Sequence, residues 1–312
     1  MFLSRFKYVY VIVAACALIF AASAWLMAED VTFKGSKLCK MCHQNLHKPI
    51  VDGFVKTAHP RAFADVTKNP EAIVATFDAN SPITKEQIKY TLGSGRTAQA
   101  YLDANLQTLP AEWDVKNKKW RQKLVFDAKK ECLGCHVTGY NATSGTWTEA
   151  GVTCEACHGA GSLHTAGDKT KIVNPKKLTA GKAMMICGQC HSKGTDTSKT
   201  YAFPVGYKVG DDLSQFFADA APTAAGRNQQ YSDFKLGKHF TKDVTCVICH
   251  EPHGAGTTLP NQLRKPINEL CLGAGCHAGK DIKTHAPSAS ADATCATCHM
   301  PQGRHTFTKP KP

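Results

Sequence analysis

Fourteen of the fifteen cysteines fall into seven pairs, and in every pair the second cysteine is followed directly by histidine. The pairs are Cys39/Cys42-His43, Cys132/Cys135-His136, Cys154/Cys157-His158, Cys187/Cys190-His191, Cys246/Cys249-His250, Cys271/Cys276-His277 and Cys295/Cys298-His299. Six read C-x-x-C-H and one is stretched to C-x-x-x-x-C-H. Two thiols a short turn apart can each add to one vinyl group of the same porphyrin, and the next imidazole then lies under the iron as its proximal ligand. A disulfide framework, a zinc knuckle or a thioredoxin-like pair also uses close cysteines, but none of them needs histidine after every second one. The pattern therefore predicts seven covalently bound c-type haems. The stretched motif is counted because it sits between two regular motifs at similar intervals.

Histidine arithmetic adds the opposite faces. Of 14 histidines seven are proximal, which leaves His47, His59, His164, His239, His253, His285 and His305. Seven spare imidazoles for seven irons predict six-coordinate, low-potential electron-transfer haems. His47 is the weakest of these candidates: it follows His43 by four residues, so on a helix both face one side and it cannot close over its own haem. Met41, Met184, Met185 and Met300 are read as packing residues, since every iron already has a candidate histidine.

The elements that must position these groups are expected to be modest. About 284 residues follow the N-terminal leader and serve seven haems, so porphyrin burial and axial ligation replace much of an ordinary apolar core. The expected fold is mainly α with long loops and little β, packed around haem. The exception is the interval of 88 residues between His43 and Cys132. There 112–126 reads as a β-hairpin turning at Lys116-Asn117-Lys118, with Trp113 and Trp120 at its base, and Gln99 to Leu106 reads as a short helix. The expected division is a leader over 1–28, a haem region over 29–191 with four motifs, a connecting segment over 192–238, and a second haem region over 239–312 with three.

The first residues carry Arg5 and Lys7, then an apolar run from Tyr8 to Ala28, then Glu29 and Asp30. This is an export signal or a membrane anchor over 8–28, and Cys16 within it loosely resembles a lipidation site. Either reading puts the body outside the cytoplasm, in the periplasm or beyond. Formal charge is +13, which by itself suggests a nucleic-acid partner. Seven haems bring roughly 14 propionate charges, however, so the lysines and arginines are better read as propionate partners and as docking groups for redox proteins.

Several stretches carry a resemblance. Cys39 to His43 followed by Lys56-Thr-Ala-His59, Cys132 to Tyr140, Gly151 to His164, Cys246-Val-Ile-Cys-His-Glu-Pro-His-Gly254 and Cys295 to Pro301 resemble the multihaem cytochromes related to the tetrahaem carrier that accepts electrons from hydroxylamine oxidoreductase. The resemblance implies that His59, His164 and His253 are distal ligands on haems other than those of their own motifs, and that haems pack in stacked and perpendicular pairs. Two departures stand out. Seven motifs exceed the tetrahaem member, and the stretched sixth is outside the common pattern. No C-x-x-C-K occurs, so the lysine-ligated nitrite reductases are not matched.

Three functions fit these residues. The leading one is an electron carrier between extracytoplasmic redox partners, with no catalytic residue. The second is a reductase of a small nitrogen or sulfur oxyanion at one haem left without a distal histidine. The third is the protomer of a haem filament or other homo-oligomer.

Overall fold

The computed structural model describes residues 31–223, 228–273 and 275–308. The apolar run with Cys16 and the Lys309–Pro312 tail lie outside them. From Phe33 onward the chain clusters as one compact unit. No helix among the described residues is long and apolar enough to cross a membrane.

The long interval between the first two motifs folds as a five-stranded antiparallel sheet, each strand bonded to the next in chain order: β1 (Phe63–Asp65), β2 (Tyr90–Leu92), β3 (Ala98–Leu102), β4 (Thr108–Asp114) and β5 (Lys119–Gln122). The expected hairpin is β4–β5, with Trp113 opposite Trp120 and Asp114 opposite Lys119. Its turn is held by Asn117, whose backbone N–H and side-chain amide both donate to the Asp114 carboxylate, at 3.0 and 2.8 Å. Such local side-chain bonds are why Asn and Asp recur in turns.

The helix expected over Gln99–Leu106 is instead β3 and the turn after it, where Leu106 takes a φ of 64°. The reason lies in burial on both sides. Tyr101 packs on one face with Ile83, Ile88 and Trp113, whereas Leu102 packs on the other with Phe63, Leu106 and Leu133. Successive strand residues point to opposite faces, and with both faces covered the polar–apolar alternation that marks a strand disappears. Leu133 lies between Cys132 and Cys135, so this sheet directly supports the second motif.

Elsewhere the helices are short, the longest described one being the 11 residues Ser36–Leu46. The sheet is larger than the little β expected. Residues 192–238, expected as a connector, hold a strand pair, Gly194–Asp196 with Phe217–Asp219, and the helix Gln230–Lys235. Leu213, Phe217, Tyr231 and Phe234 from this stretch pack with Met184 of the helix Ala180–Gly188, which leads into the fourth motif.

The helix Ser36–Leu46 carries the first motif yet starts after Gly35 with no side-chain cap of its own. Its cap comes from more than a hundred residues away. Glu155, 2 % exposed, accepts from the N–H groups of Lys34 and Gly35 at 2.9 and 2.6 Å and from that of Gly161 at 2.7 Å. Glu149 accepts from the Ser36 N–H at 2.8 Å and from the Thr153 hydroxyl at 2.7 Å. Carboxylates satisfy the orphan donors of a helix start and suit its positive dipole end. Glu155 lies inside the third motif, so this bond set fixes the first motif to the third.

Glu155→Ala strips three N–H groups, that of Gly161 buried, of their acceptor and is expected to cost about 1–3 kcal/mol, read from denaturant unfolding of the holoprotein. An unfolding midpoint equal to wild type would show that the clamp is not needed.

Candidate functional site

The cysteines and histidines of all seven motifs lie among the described residues, and none of the fourteen cysteines forms a disulfide. Five motifs lie on or beside a short turn of helix: Ser36–Leu46, Leu133–His136, Cys154–His158, Cys246–Cys249 and Cys295–His299. A single helical turn brings both thiols and the following imidazole to one side. The fourth motif begins at the end of Ala180–Gly188, and the stretched sixth begins within Ile267–Leu272. Both therefore run out of helix before their histidine.

Six motif histidines each meet one of the spare histidines. His164 faces His43 with ring centres 6.2 Å apart, His253 faces His158 at 6.1 Å and His59 faces His191 at 6.4 Å. His305 faces His250 at 6.2 Å, His239 faces His277 at 6.0 Å and His285 faces His299 at 5.9 Å. Two imidazoles bound to one metal from opposite sides, at about 2 Å per metal–nitrogen bond, hold their centres about 6 Å apart. The six distances match that geometry, so the residues present fit haem iron. Only His285 lies in the chain segment just before its own partner's motif; the others cross from more distant segments.

His47 is not brought across any motif. It stacks on His43 at 5.2 Å, beside it on the chain. Among the described residues no second imidazole faces His136. The methionines are packing residues or exposed: Met184 is buried, the Met185 sulfur accepts from the Leu213 N–H, and Met41 faces outward.

Five of the imidazoles are prepared for ligation by their other nitrogen, whereas Nδ1 of His164 and of His239 is buried without a hydrogen-bond partner among the described residues. Nδ1 of His136, His158, His250 and His299 sits 3.0, 2.9, 2.8 and 2.9 Å from the carbonyl oxygens of Ala62, Val173, Asn261 and Thr308. His305 does the same with the carbonyl of Gly303 at 3.0 Å. A carbonyl has no proton to give, so Nδ1 carries the hydrogen and Nε2 keeps its lone pair for a metal. Burial pushes His59 down to about 4, helped by His191 and Arg96. Burial also lowers His136, His158, His191, His239 and His305. Neutral rings are the ligating form.

Backbone approach delivers these rings. The segment 59–62, which bears His59 and the Ala62 carbonyl, lies against Gly151, where an added Cβ would stand 2.2 Å from the Pro60 oxygen. The His253 loop lies against the helix Lys48–Phe54 at Gly53, whose Cβ would stand 2.7 Å from the His253 oxygen. Neither Gly could have been recognised from sequence as a ligand support, nor could the carbonyl acceptors.

Neighbouring motifs touch through their thiols. Cys39 lies against Cys154, Cys135 against Cys190, Cys187 against Cys246 and Cys271 against Cys295, each contact raising one thiol of the pair. The third and fourth motifs meet where the Gln189 side-chain amide donates to the Ala156 carbonyl at 3.0 Å, and Cys249 of the fifth motif feels the charge of Cys276 of the sixth. The second and fourth motifs also meet where the Cys135 thiol points at the Gln189 carbonyl, 3.7 Å away. Among the described residues no cluster of three or more His, Cys, Asp or Glu side chains is placed to hold a bare metal ion.

Three thiols depart from the expectation that the attachment sites form the buried core. Cys42, Cys276 and Cys298, the second cysteines of the first, sixth and seventh motifs, are exposed, whereas the other eleven are half-buried. Position explains the difference. The first and seventh motifs meet a neighbour through their first cysteines, Cys39 and Cys295, so Cys42 and Cys298 stand at the rim of the packed thiols. Cys276 follows the extra residues of the stretched motif, after the helix Ile267–Leu272 has ended. A thioether to a vinyl group needs a reachable thiol and not a buried one, so exposure leaves all three able to tether haem.

Residues 96–159 match the family model of cytochrome c554 and c-prime, and 238–282 match a doubled CXXCH motif. The chain is 27% identical over 261 residues to the multiheme cytochrome MtrA of Shewanella baltica, covering 77% of this chain and 73% of that one. It is 29% identical over 208 residues to cytochrome c-554 of Nitrosomonas europaea, covering 58% and 68%. The fold is similar to the crystal structure of the outer cell wall cytochrome OcwA, with a TM-score of 0.71, 22% identity, and coverage of 88% of this chain and 79% of that one. The chain is a multihaem c-type cytochrome, with haem held covalently. It is similar in sequence to cytochrome c-554 and to MtrA.

Gly53→Ala forces a methyl group into the backbone of the His253 loop and is expected to cost about 1–3 kcal/mol. Equilibrium unfolding checks it, and a variant as stable as wild type would mean that the close approach is not required.

Proposed function

We propose that this chain carries seven covalent haems and passes single electrons between extracytoplasmic redox partners. The observation that carries the reading is the set of six facing imidazole pairs. Each pair would close one iron on both sides, which leaves it suited to electron transfer and not to binding a substrate. The cysteine pairs tether, His43, His136, His158, His191, His250, His277 and His299 ligate one face, and His59, His164, His239, His253, His285 and His305 ligate the other. The haem supplies reversible one-electron chemistry when bound. The chain's part is to hold the imidazoles in place and set neighbouring sites side by side.

The thiol contacts, the Gln189–Ala156 hydrogen bond and the electrostatic influence between Cys249 and Cys276 order the sites. Taken in sequence they give a file of motifs one, three, four, five, six and seven, with motif two beside motif four. Electrons entering at either end of the file would reach the other end by hops between neighbours. The exposed thiols Cys42 and Cys298 belong to the two end motifs, where a redox partner would dock. Export fits the apolar leader, and redox proteins are the partners that such a file requires.

One observation favours a second role at a single position. His136 faces no second imidazole among the described residues, and His47 is held beside His43. The second site is therefore the one at which a small nitrogen or sulfur oxyanion, or nitric oxide, would reach iron, fed from the file through the fourth site.

Two measurements test the reading. Intact-mass analysis of the purified protein is expected to give the chain plus seven haems, and fewer would remove sites from the file. His253→Ala is expected to convert one low-spin ferric haem to high spin, whereas His47→Ala leaves the spin-state count unchanged. A spectrum unaltered by the first variant, or altered by the second, would overturn the ligand assignment.

A further inference from the structure

The fourth motif differs from the others in how its histidine is held. Nδ1 of His136, His158, His250 and His299 meets backbone carbonyls, but Nδ1 of His191 meets a side chain, the amide oxygen of Gln230, at 3.0 Å. Gln230 is the first residue of the helix Gln230–Lys235. The next residue ties the same helix to the same histidine again, since the Tyr231 N–H donates to the His191 carbonyl at 2.9 Å.

The far end of that helix serves the adjacent site. Asp233, 2 % exposed, takes two bonds from Arg304, from Nε at 2.8 Å and Nη2 at 2.5 Å. Arg304 precedes His305, the ring that faces His250 of the fifth motif. One helix of six residues thus holds a group at each of two successive sites, whose thiols Cys187 and Cys246 lie against one another. The fourth site is also where the contacts from motifs two, three and five converge.

We propose that Gln230 is a positioning residue that sets the reduction potential of the haem at the fourth motif, the junction of the file. This rests on the ligand reading above. An acceptor on Nδ1 draws the proton away from the ring, makes Nε2 a stronger donor and favours the oxidised iron. A stronger acceptor lowers the potential and a missing one raises it. Backbone carbonyls cannot be changed in this way by a side-chain replacement, so among the motif histidines with an Nδ1 partner named above, His191 is the one whose acceptor a single substitution can alter; among the spare histidines His253 also meets a side chain, Glu251 Oε1 at 3.3 Å. Division of electrons between the second site and the rest of the file depends on that potential.

The test uses the full-length holoprotein with Gln230→Met and Gln230→Glu, followed by potentiometric titration with low-temperature paramagnetic resonance. One of the haem midpoints is expected to move up in the Met variant and down in the Glu variant, and one low-spin signal is expected to shift in g value. The other midpoints stay in place. Haem content is measured first by mass. If the fourth haem is absent from the wild-type protein, the ligand reading itself fails. If all haems are present in both variants and no midpoint or signal moves, Gln230 has no such role. If the Met variant loses haem, the Glu variant, which keeps an acceptor on Nδ1, decides the question by the direction of its shift.

Discussion

Everything in this molecule depends on bringing an imidazole from one part of the chain to within about 6 Å of another that sits beside two thiols. Six such meetings occur, and five of them join segments well apart in sequence. Each is a crosslink once a metal lies between the rings, because ligation energy then adds to folding energy. A chain with short helices and long loops would otherwise have few ways to hold itself together. Such crosslinks would let it do without a large apolar core.

The protein part of the framework works to make those meetings accurate. Glu155 of the third motif and Glu149, just before that motif, cap the first motif's helix. The sheet presses Leu102 and Phe63 on Leu133 and presents the Ala62 carbonyl to His136. Gly53 and Gly151 let backbones approach where a side chain would hold the His253 loop and the His59 segment away. Each device acts near a candidate ligand, so packing and redox chemistry share the same residues.

The attachment chemistry was legible in the sequence because it is local: two thiols and a histidine within five or seven residues state their purpose by spacing alone. Spacing does not state burial, and Cys42, Cys276 and Cys298 are exposed although their motifs read like the rest. The β4–β5 hairpin was read from its Lys-Asn-Lys turn. The partner of each spare histidine is a long-range property, and the spacing of His239 or His305 says nothing of which ring it meets. Resemblance to relatives pointed to His59, His164 and His253 as reaching across to other motifs, and those three do face distant ones. The equality of seven and seven concealed that His47 stacks beside His43. β3 was misread because burial on both faces erased its alternation. Gln230 carried no signal, since a glutamine that holds an imidazole looks like any other until the fold brings them together.

The central claim is that six irons are closed by two imidazoles each and that the second motif's iron is not. Low-temperature electron paramagnetic resonance of the oxidised holoprotein, with spins counted against total haem, tests it most directly. The account predicts six low-spin ferric haems and one high-spin haem. Seven low-spin haems, or several high-spin ones, would contradict it.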